Sequence, residues 1–455
     1  MPFDQRICSN CIRDEHLKQE IAQKIGELDE CAYCNASAPT ISIWDLATRC
    51  DDVIDVFFEV SSLTMAVVHF DRTPEGGDLS TILHKLTGLD GAALEDLHEV
   101  LSDHWFDRDS QEEKYGEDPW FVEASETTAQ ISLEWEQMER SLRDTARLFN
   151  PAAARLLEKV FGPVVEDRTH EGDSVVIKVG PGHPISSLSR AREFETLQEL
   201  QDALNHPESK LGPPPVGRGS AGRMNCAGIP VFYGATKAST AIAEVRPAVG
   251  ANVAVAVFNI IRELSLLDLS KLGALSLADA SKFSPITVER ATRRNFLATL
   301  IGRLTMPVLP GMANNDYLIT QAIADFLATH PNLNIDGILF PSTQDAKKDS
   351  STRNVVLFRK ASTVLRSEPE YRETATAYLM EYDEHSAWLS PSIESRPLAE
   401  DQQQIFRWPG EEDRFEPALE LDRNLITIHE IEAVEYRTVE NRVVHTFKEL
   451  PQKKS

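Results

Sequence analysis

Two Cys-x-x-Cys pairs near the start constrain this chain more than any other feature. Cys8 and Cys11 form one pair, Cys31 and Cys34 the other, with nineteen residues between them. Two such turns can set four thiolates at the corners of a tetrahedron, the ligand set of a zinc site. All four positions would be taken by cysteine, so no coordination position stays open and the metal is expected to be structural. The alternatives are reduced thiols or disulfides, the latter disfavoured in a reducing compartment. Residues 1–40 are therefore expected to form a four-cysteine zinc-binding module, with a helix over His16–Leu28 between the pairs. Cys50 and Cys226 read as buried thiols without a partner role.

The 455 residues suffice for two to four domains, and 42% hydrophobic with 26% charged residues is ordinary for a globular protein. The 46 basic and 72 acidic residues give a net charge of −26. That balance argues against nucleic-acid binding as the main task, because neutralising phosphates takes clustered Lys and Arg. No apolar run approaches the length of a membrane span. The N-terminal MPFDQRICSNC lacks the basic and apolar regions of a signal peptide, so the cytoplasm is the expected location.

Helical periodicity dominates residues 41–165, with examples at Trp44–Phe58, Ala92–Leu101 and Ile131–Phe149, and this stretch reads as one helical domain. From Ser174 strands and helices mix, and 174–362 reads as one α+β domain. Its clearest strand is Ala251–Ile260, and Tyr317–Leu327 is an amphipathic helix. Residues 363–455 read as a separate β-rich extension, with a small sheet drawn from Leu425–Ile431, Ala433–Tyr436 and Arg442–Phe447.

Within the α+β stretch, Arg218–Pro247 gathers unusual chemistry. A glycine-rich loop holds Arg218 and Arg223, an apolar run Ile229–Tyr233 reads as a buried strand, and Ala238–Val245 reads as a short helix ending before Pro247. Glu244 lies near the end of that helix.

Six pieces in order then form a pattern: Ser-Arg190-Ala-Arg, Gly-Arg223-Met-Asn, Val-Phe-Tyr233, Ala-Glu244-Val-Arg-Pro, Tyr317-x3-Gln321 and Asp336-Gly-Ile-x-Phe-Pro-Ser342. Over about residues 180–360 the chain resembles the RES domain, a family named for an arginine, a glutamate and a serine. The paired cysteines and helical region resemble the zinc-binding, HEPN-like extension of longer RES proteins. No Arg in 41–163 is followed by a His at the four-to-six-residue spacing that HEPN nucleases use, so nothing there reads as catalytic. The resemblance implies an ADP-ribosyltransferase-like core with NAD+ in a cleft. It further implies a toxin that destroys NAD+, commonly by phosphorolysis with inorganic phosphate as co-substrate, paired with an Xre-type antitoxin. Some family members instead ADP-ribosylate a protein. The long N-terminal part and the C-terminal addition set this chain apart from the short toxins. A homo-oligomer is a further expectation.

By the resemblance, Arg190, Arg223, Tyr233, Glu244 and Ser342 match cleft positions, with Arg192 and Arg218 as further candidates. Breaking the bond between nicotinamide and ribose builds positive charge on the sugar, which a carboxylate such as Glu244 would stabilise. The diphosphate calls for guanidinium forks, from Arg223 and Arg190. Tyr233 reads either as a ligand contact or as core packing. Ser342 reads as a hydroxyl meeting ligand at a strand end, or as a turn residue. Tyr317 and Gln321 share a helix face at i, i+4 and read as support. The expected catalytic set is Arg223, Glu244 and Ser342. The non-enzymatic alternative is a zinc-containing adaptor that senses a nucleotide.

Overall fold

The computed structural model describes residues 4–61, 76–107, 112–116, 119–123, 128–277, 281–305, 313–342, 352–365, 373–383, 385–397, 415–435, 438 and 440–443. The cysteine pairs lie on a small antiparallel sheet of β1 (Arg6–Cys8), β2 (Glu27–Glu30) and β3 (Ser37–Ser42), with β3 in the middle. Between β1 and β2, helix α1 (Glu15–Glu20) starts at Asp14, whose carboxylate caps it by accepting from the Leu17 N–H at 2.8 Å. The helix expected to reach Leu28 stops earlier: after a wider turn at Ile21–Ile25, the Gly26 N–H donates to the Ile21 carbonyl at 2.9 Å and the chain turns into β2.

Helix α2 (Ile43–Phe57), capped by Ser42, leads into strand β4 (Phe58–Val60). After β5 (Gly77–Asp78) come α3 (Leu79–Thr87), capped by Asp78, and α4 (Ala92–Trp105). Strands β6 (Phe106–Asp107) and β7 (Glu112–Glu113) pair with each other, and β8 (Trp120–Glu123) joins β4 and β5. Leu17 of α1, Ile21 just after it and Ile41 of β3 share one core with Leu46, Ile54, Leu83, Leu97, Leu101 and Phe121.

The next helices, α5 (Ala129–Asp144) and α6 (Pro151–Phe161), do not belong to that core. Their Ile131, Trp135, Leu157 and Phe161 pack instead with Phe296, Leu300, Ile323 and Ile338 of the second half of the chain. The helices of 41–165 thus divide between two cores rather than forming one bundle. Helical periodicity identifies an apolar face but not the surface it meets.

The second half is built on an eight-stranded sheet. In chain order its strands are β9 (Val176–Val179), β10 (Ser187–Phe194), β11 (Phe232–Ala235), β12 (Asn252–Ile260), β13 (Leu264–Asp268), β14 (Gly337–Pro341), β15 (Arg353–Leu357) and β18 (Leu419–Glu430). They lie in the order β18-β12-β10-β11-β15-β14-β13-β9. Only the β13–β14 pair is parallel among these neighbours. The intervening helices are α7 (Leu197–Leu204), the single turn α8 (Pro207–Lys210), α9 (Ala238–Val245), the single turn α10 (Leu269–Leu272), α11 (Pro285–Thr305) and α12 (Ala313–Thr329). On one face α5, α6, α11 and α12 cover the sheet. On the other, Leu200 and Leu204 of α7 meet Phe232, Phe258 and Leu357, together with the hairpin of β16 (Glu373–Tyr382) and β17 (Ala387–Pro397). The strand expected at Leu425–Ile431 exists, within β18, but it joins the main sheet as the edge strand beside β12, while β16 and β17 pair only with each other. Of the other strands expected there, residues 431–435 and 442–443 are irregular, and Tyr436 and 444–447 lie outside the described residues.

Two details position the site. First, β10 pairs with β12 over eight residues and β11 with β15 over four, but β10 and β11 share only Ser189↔Ala235. The sheet opens along that seam. Second, α11 spans about 30 Å and joins the two cores: Ala291, near its start, and Phe283 just before it lie in the N-terminal core, while Phe296, Leu297, Leu300 and Leu304 lie in the other. Midway, buried Arg293 grips Asp167 with two contacts of 3.0 and 2.6 Å and donates to the Val160 carbonyl at 2.6 Å. Ser281 donates to the capping Asp14 at 2.8 Å, so the first cysteine turn and the approach to α11 are directly tied. Among the described residues no helix is long and apolar enough to cross a membrane.

Candidate functional site

The glycine-rich loop before β11 is held in shape by asparagine. Buried Asn225 donates through Nδ2 to the carbonyls of Ser220, Cys226 and Ile229 at 2.9–3.2 Å. Its Oδ1 accepts from the Tyr233 hydroxyl at 2.9 Å, and that hydroxyl accepts from the Met224 N–H at 2.9 Å. Helix α12 grips the same loop. Gln321 Nε2 donates to the carbonyls of Gly222 (2.8 Å) and Asn225 (3.0 Å), and the Thr320 hydroxyl donates to the Arg223 carbonyl. Burial pushes the Tyr233 phenol up to about 12, against the opposing pull of the Met224 N–H and the Arg223 charge. Tyr233 therefore serves as a neutral staple between strand and loop.

The result is a half-buried Arg223 whose backbone is fixed on both sides. Its Nη1 also donates to the Leu304 carbonyl in the last turn of α11 at 3.4 Å, a favourable place for a cation because carbonyls point out of a helix C-terminus. Gly222 makes this geometry attainable. A Cβ there would lie 2.5 Å from the Tyr233 hydroxyl and 2.6 Å from Asn225 Oδ1. Gly222→Ala is accordingly expected to break the staple and lower the thermal midpoint by a few degrees, as about 1–3 kcal/mol of buried hydrogen bonding is lost. A thermal melt of the variant beside the wild type checks this.

Arg190 stands on β10, and its Nη1 donates to the Tyr233 carbonyl at 2.8 Å across the open seam. Its guanidinium lies 5.3 Å from the Phe232 ring, hence on the sheet face opposite the Tyr233 ring. Burial, with the like charge of Arg192 nearby, holds its pKa down to about 10. Arg190 Nε is buried with no hydrogen-bond partner among the described residues.

Helix α9 carries Glu244 at its end, where Arg246 takes a left-handed conformation (φ 51°) before Pro247. The exposed Glu244 carboxylate accepts from Asn354 Nδ2 at 3.0 Å. Asn354 lies on β15, in register with Ala235 of β11 and Phe340 of β14. Half-buried Ser342 follows β14 at the same end of the sheet, one residue past the Pro341↔Arg353 pair.

The chain thus brings Arg223, Tyr233, Tyr317 and Gln321 together around the loop. Asn354, which holds Glu244, pairs with Ala235, two residues past Tyr233, and with Phe340, two residues before Ser342. The chain does not bring Arg190, Arg192 or Arg218 into this group: the buried Arg190 guanidinium lies on the other sheet face, over Phe232. Exposed Arg192 donates to the Lys210 carbonyl and lies over Phe194, and exposed Arg218 stands on the outer turn of the loop. Asn225, Thr320 and Asn354 are added by the fold. Asn225 had a signal, since an asparagine in a glycine-rich loop is a common cap for backbone groups. Asn354, in an otherwise apolar strand, had none.

At the N-terminus the four sulfurs of Cys8, Cys11, Cys31 and Cys34 lie within 4.8 Å of one another. The closest pairs are 3.5, 3.7 and 3.8 Å apart, against about 3.8 Å for a tetrahedron with bonds of ~2.3 Å. This donor set fits zinc. Burial opposes ionisation of Cys31, but backbone N–H donors from Tyr33, Cys8 and Cys34 outweigh it and hold the thiol down to about 7. Burial and the neighbouring sulfurs push Cys8 and Cys11 up.

Comparison with known families meets this geometry at one point. Residues 188–379 match the RES domain. The match covers about two-fifths of the chain and contains every candidate from Arg190 to Ser342. It leaves out both edge strands, β9 and β18, and the covering helices α5 and α6, so the folded unit is larger than the matched stretch. No curated protein and no solved structure matches the chain.

Proposed function

We propose that this RES-domain chain binds NAD+ and breaks its nicotinamide–ribose bond, with inorganic phosphate as acceptor. The observation that supports the reading is the place of Glu244 and Arg223 around one strand. The exposed Glu244 carboxylate is held by Asn354, which pairs with Ala235 of β11, and Arg223 stands on the braced loop that Tyr233, two residues before Ala235, fastens to the same strand. The C1″–N bond of the nicotinamide-bearing ribose breaks with its electron pair going to the cationic nicotinamide, which leaves neutral. A phosphate oxygen forms the new bond to C1″. Positive charge on the ribose peaks between these events, and Glu244 is the group to stabilise it. Arg223 holds anionic oxygens of the diphosphate or of the attacking phosphate. Ser342 contributes a hydroxyl at the strand end, and Tyr317 stands near Tyr233 beside the braced loop. Zinc in the four-cysteine cluster would cross-link two turns and take no part in the reaction. The toxin-like role and control by a partner such as an antitoxin follow from the same reading.

The test is incubation of the purified chain with NAD+, with and without phosphate, and mass analysis of products. ADP-ribose-1″-phosphate and nicotinamide are expected with phosphate. Free ADP-ribose would make water the acceptor, ADP-ribose on a protein would make it a transferase, and intact NAD+ would sink the proposal.

A further inference from the structure

We propose that Asn354 is a positioning residue for Glu244, fixing its carboxylate for the proposed reaction on which this inference rests. Asn354 is 4% exposed and sits in a strand whose neighbours are Val355, Val356 and Leu357. A polar side chain there is costly unless it is fully hydrogen-bonded. Asn354 is only half satisfied: Nδ2 donates to Glu244 Oε2 at 3.0 Å, while Oδ1 is buried with no partner among the described residues. The orientation of the amide follows from chemistry, since a carboxylate only accepts and the nitrogen must face it.

Position 354 therefore carries a penalty that an apolar residue would not, and among the described residues the gain of its side chain is the contact with Glu244. That contact matters because Glu244 is exposed at the last turn of a short helix and its long side chain is otherwise free to change rotamer. Asn354 is anchored by pairing on both sides, to Ala235 and to Phe340, so it holds the carboxylate from a rigid element. One turn before Glu244, the Thr240 hydroxyl is also buried without a partner among the described residues, so α9 rests on further unsatisfied polar ground at this spot.

Asn354→Leu separates this role from simple packing. Leucine has similar volume and relieves the orphaned oxygen. The expected result is a thermal midpoint equal to or above that of the wild type, with kcat for NAD+ loss down about ten- to a hundredfold and KM within a few-fold. Unchanged kcat, or a lower midpoint, would overturn the proposal. A second measurement does not depend on turnover. Glu244→Ala should shift the thermal midpoint differently in the wild-type and Asn354→Leu backgrounds, whereas equal shifts mean the two side chains are uncoupled and the proposal fails. If the wild type leaves NAD+ intact, the proposed reaction falls, while this cycle still decides whether Asn354 holds Glu244.

Discussion

Glu244→Gln is expected to lower the rate of NAD+ cleavage by about a hundred- to a thousandfold while leaving NAD+ binding within a few-fold. The substitution keeps the length and shape of the side chain. Its amide oxygen still accepts from Asn354 Nδ2, whose contact with the carboxylate is 3.0 Å. What is lost is the negative charge that the proposed reaction sets against the ribose. Because that charge acts when the sugar becomes cationic, its removal falls on kcat rather than on ground-state binding. Glu244 is exposed, so stability should not change. Nicotinamide release measured beside a thermal melt reads both quantities. Full turnover in the variant would remove Glu244 from the chemistry.

Cys31→Ser carries the second large effect, on the N-terminal half. The wild-type chain is expected to bind one zinc ion and the variant far less, by metal analysis of the purified proteins. Cys31 is fully buried, and its sulfur accepts the Cys8 N–H at 3.3 Å, which supports a thiolate. A serine hydroxyl is a shorter and much poorer ligand for zinc. Structural zinc supplies folding free energy directly, and losing even a fraction of it should lower the melting midpoint on the order of 10 °C. The disturbance should also travel. The first cysteine turn reaches Ser281 through Asp14, and the Leu304 carbonyl near the end of α11 accepts from Arg223. Faster hydrogen exchange in α11 of the variant would register this spread. Unchanged metal content and melting would refute the zinc assignment.

Much of the site was legible because its signals are local. The Cys-x-x-Cys spacing anticipates the cluster, and Ala238–Val245 is the helix that its composition and the following proline indicate. Tyr317 and Gln321 both lie in α12 and share one of its faces, because residues four apart do so on any helix. Strand β10 was harder to see, since Ser, Arg and Ala alternate there without an apolar face. It is a strand because it lies between β12 and β11. The expected strand Ile229–Tyr233 begins later, at Phe232, because Asn225 and Gln321 hold the preceding residues in the loop.

Residue spacing alone therefore settles the cysteine cluster, the helix that bears Glu244 and the loop that bears Arg223, because each depends on residues within a few positions of one another. Only the folded chain decides that α5 and α6 leave the N-terminal core, that β18 closes the edge of the main sheet, and that Asn354 meets Glu244 from 110 residues away. Those contacts depend on which apolar faces and strand edges remain to be covered once everything else is packed, and no local period in the sequence records that.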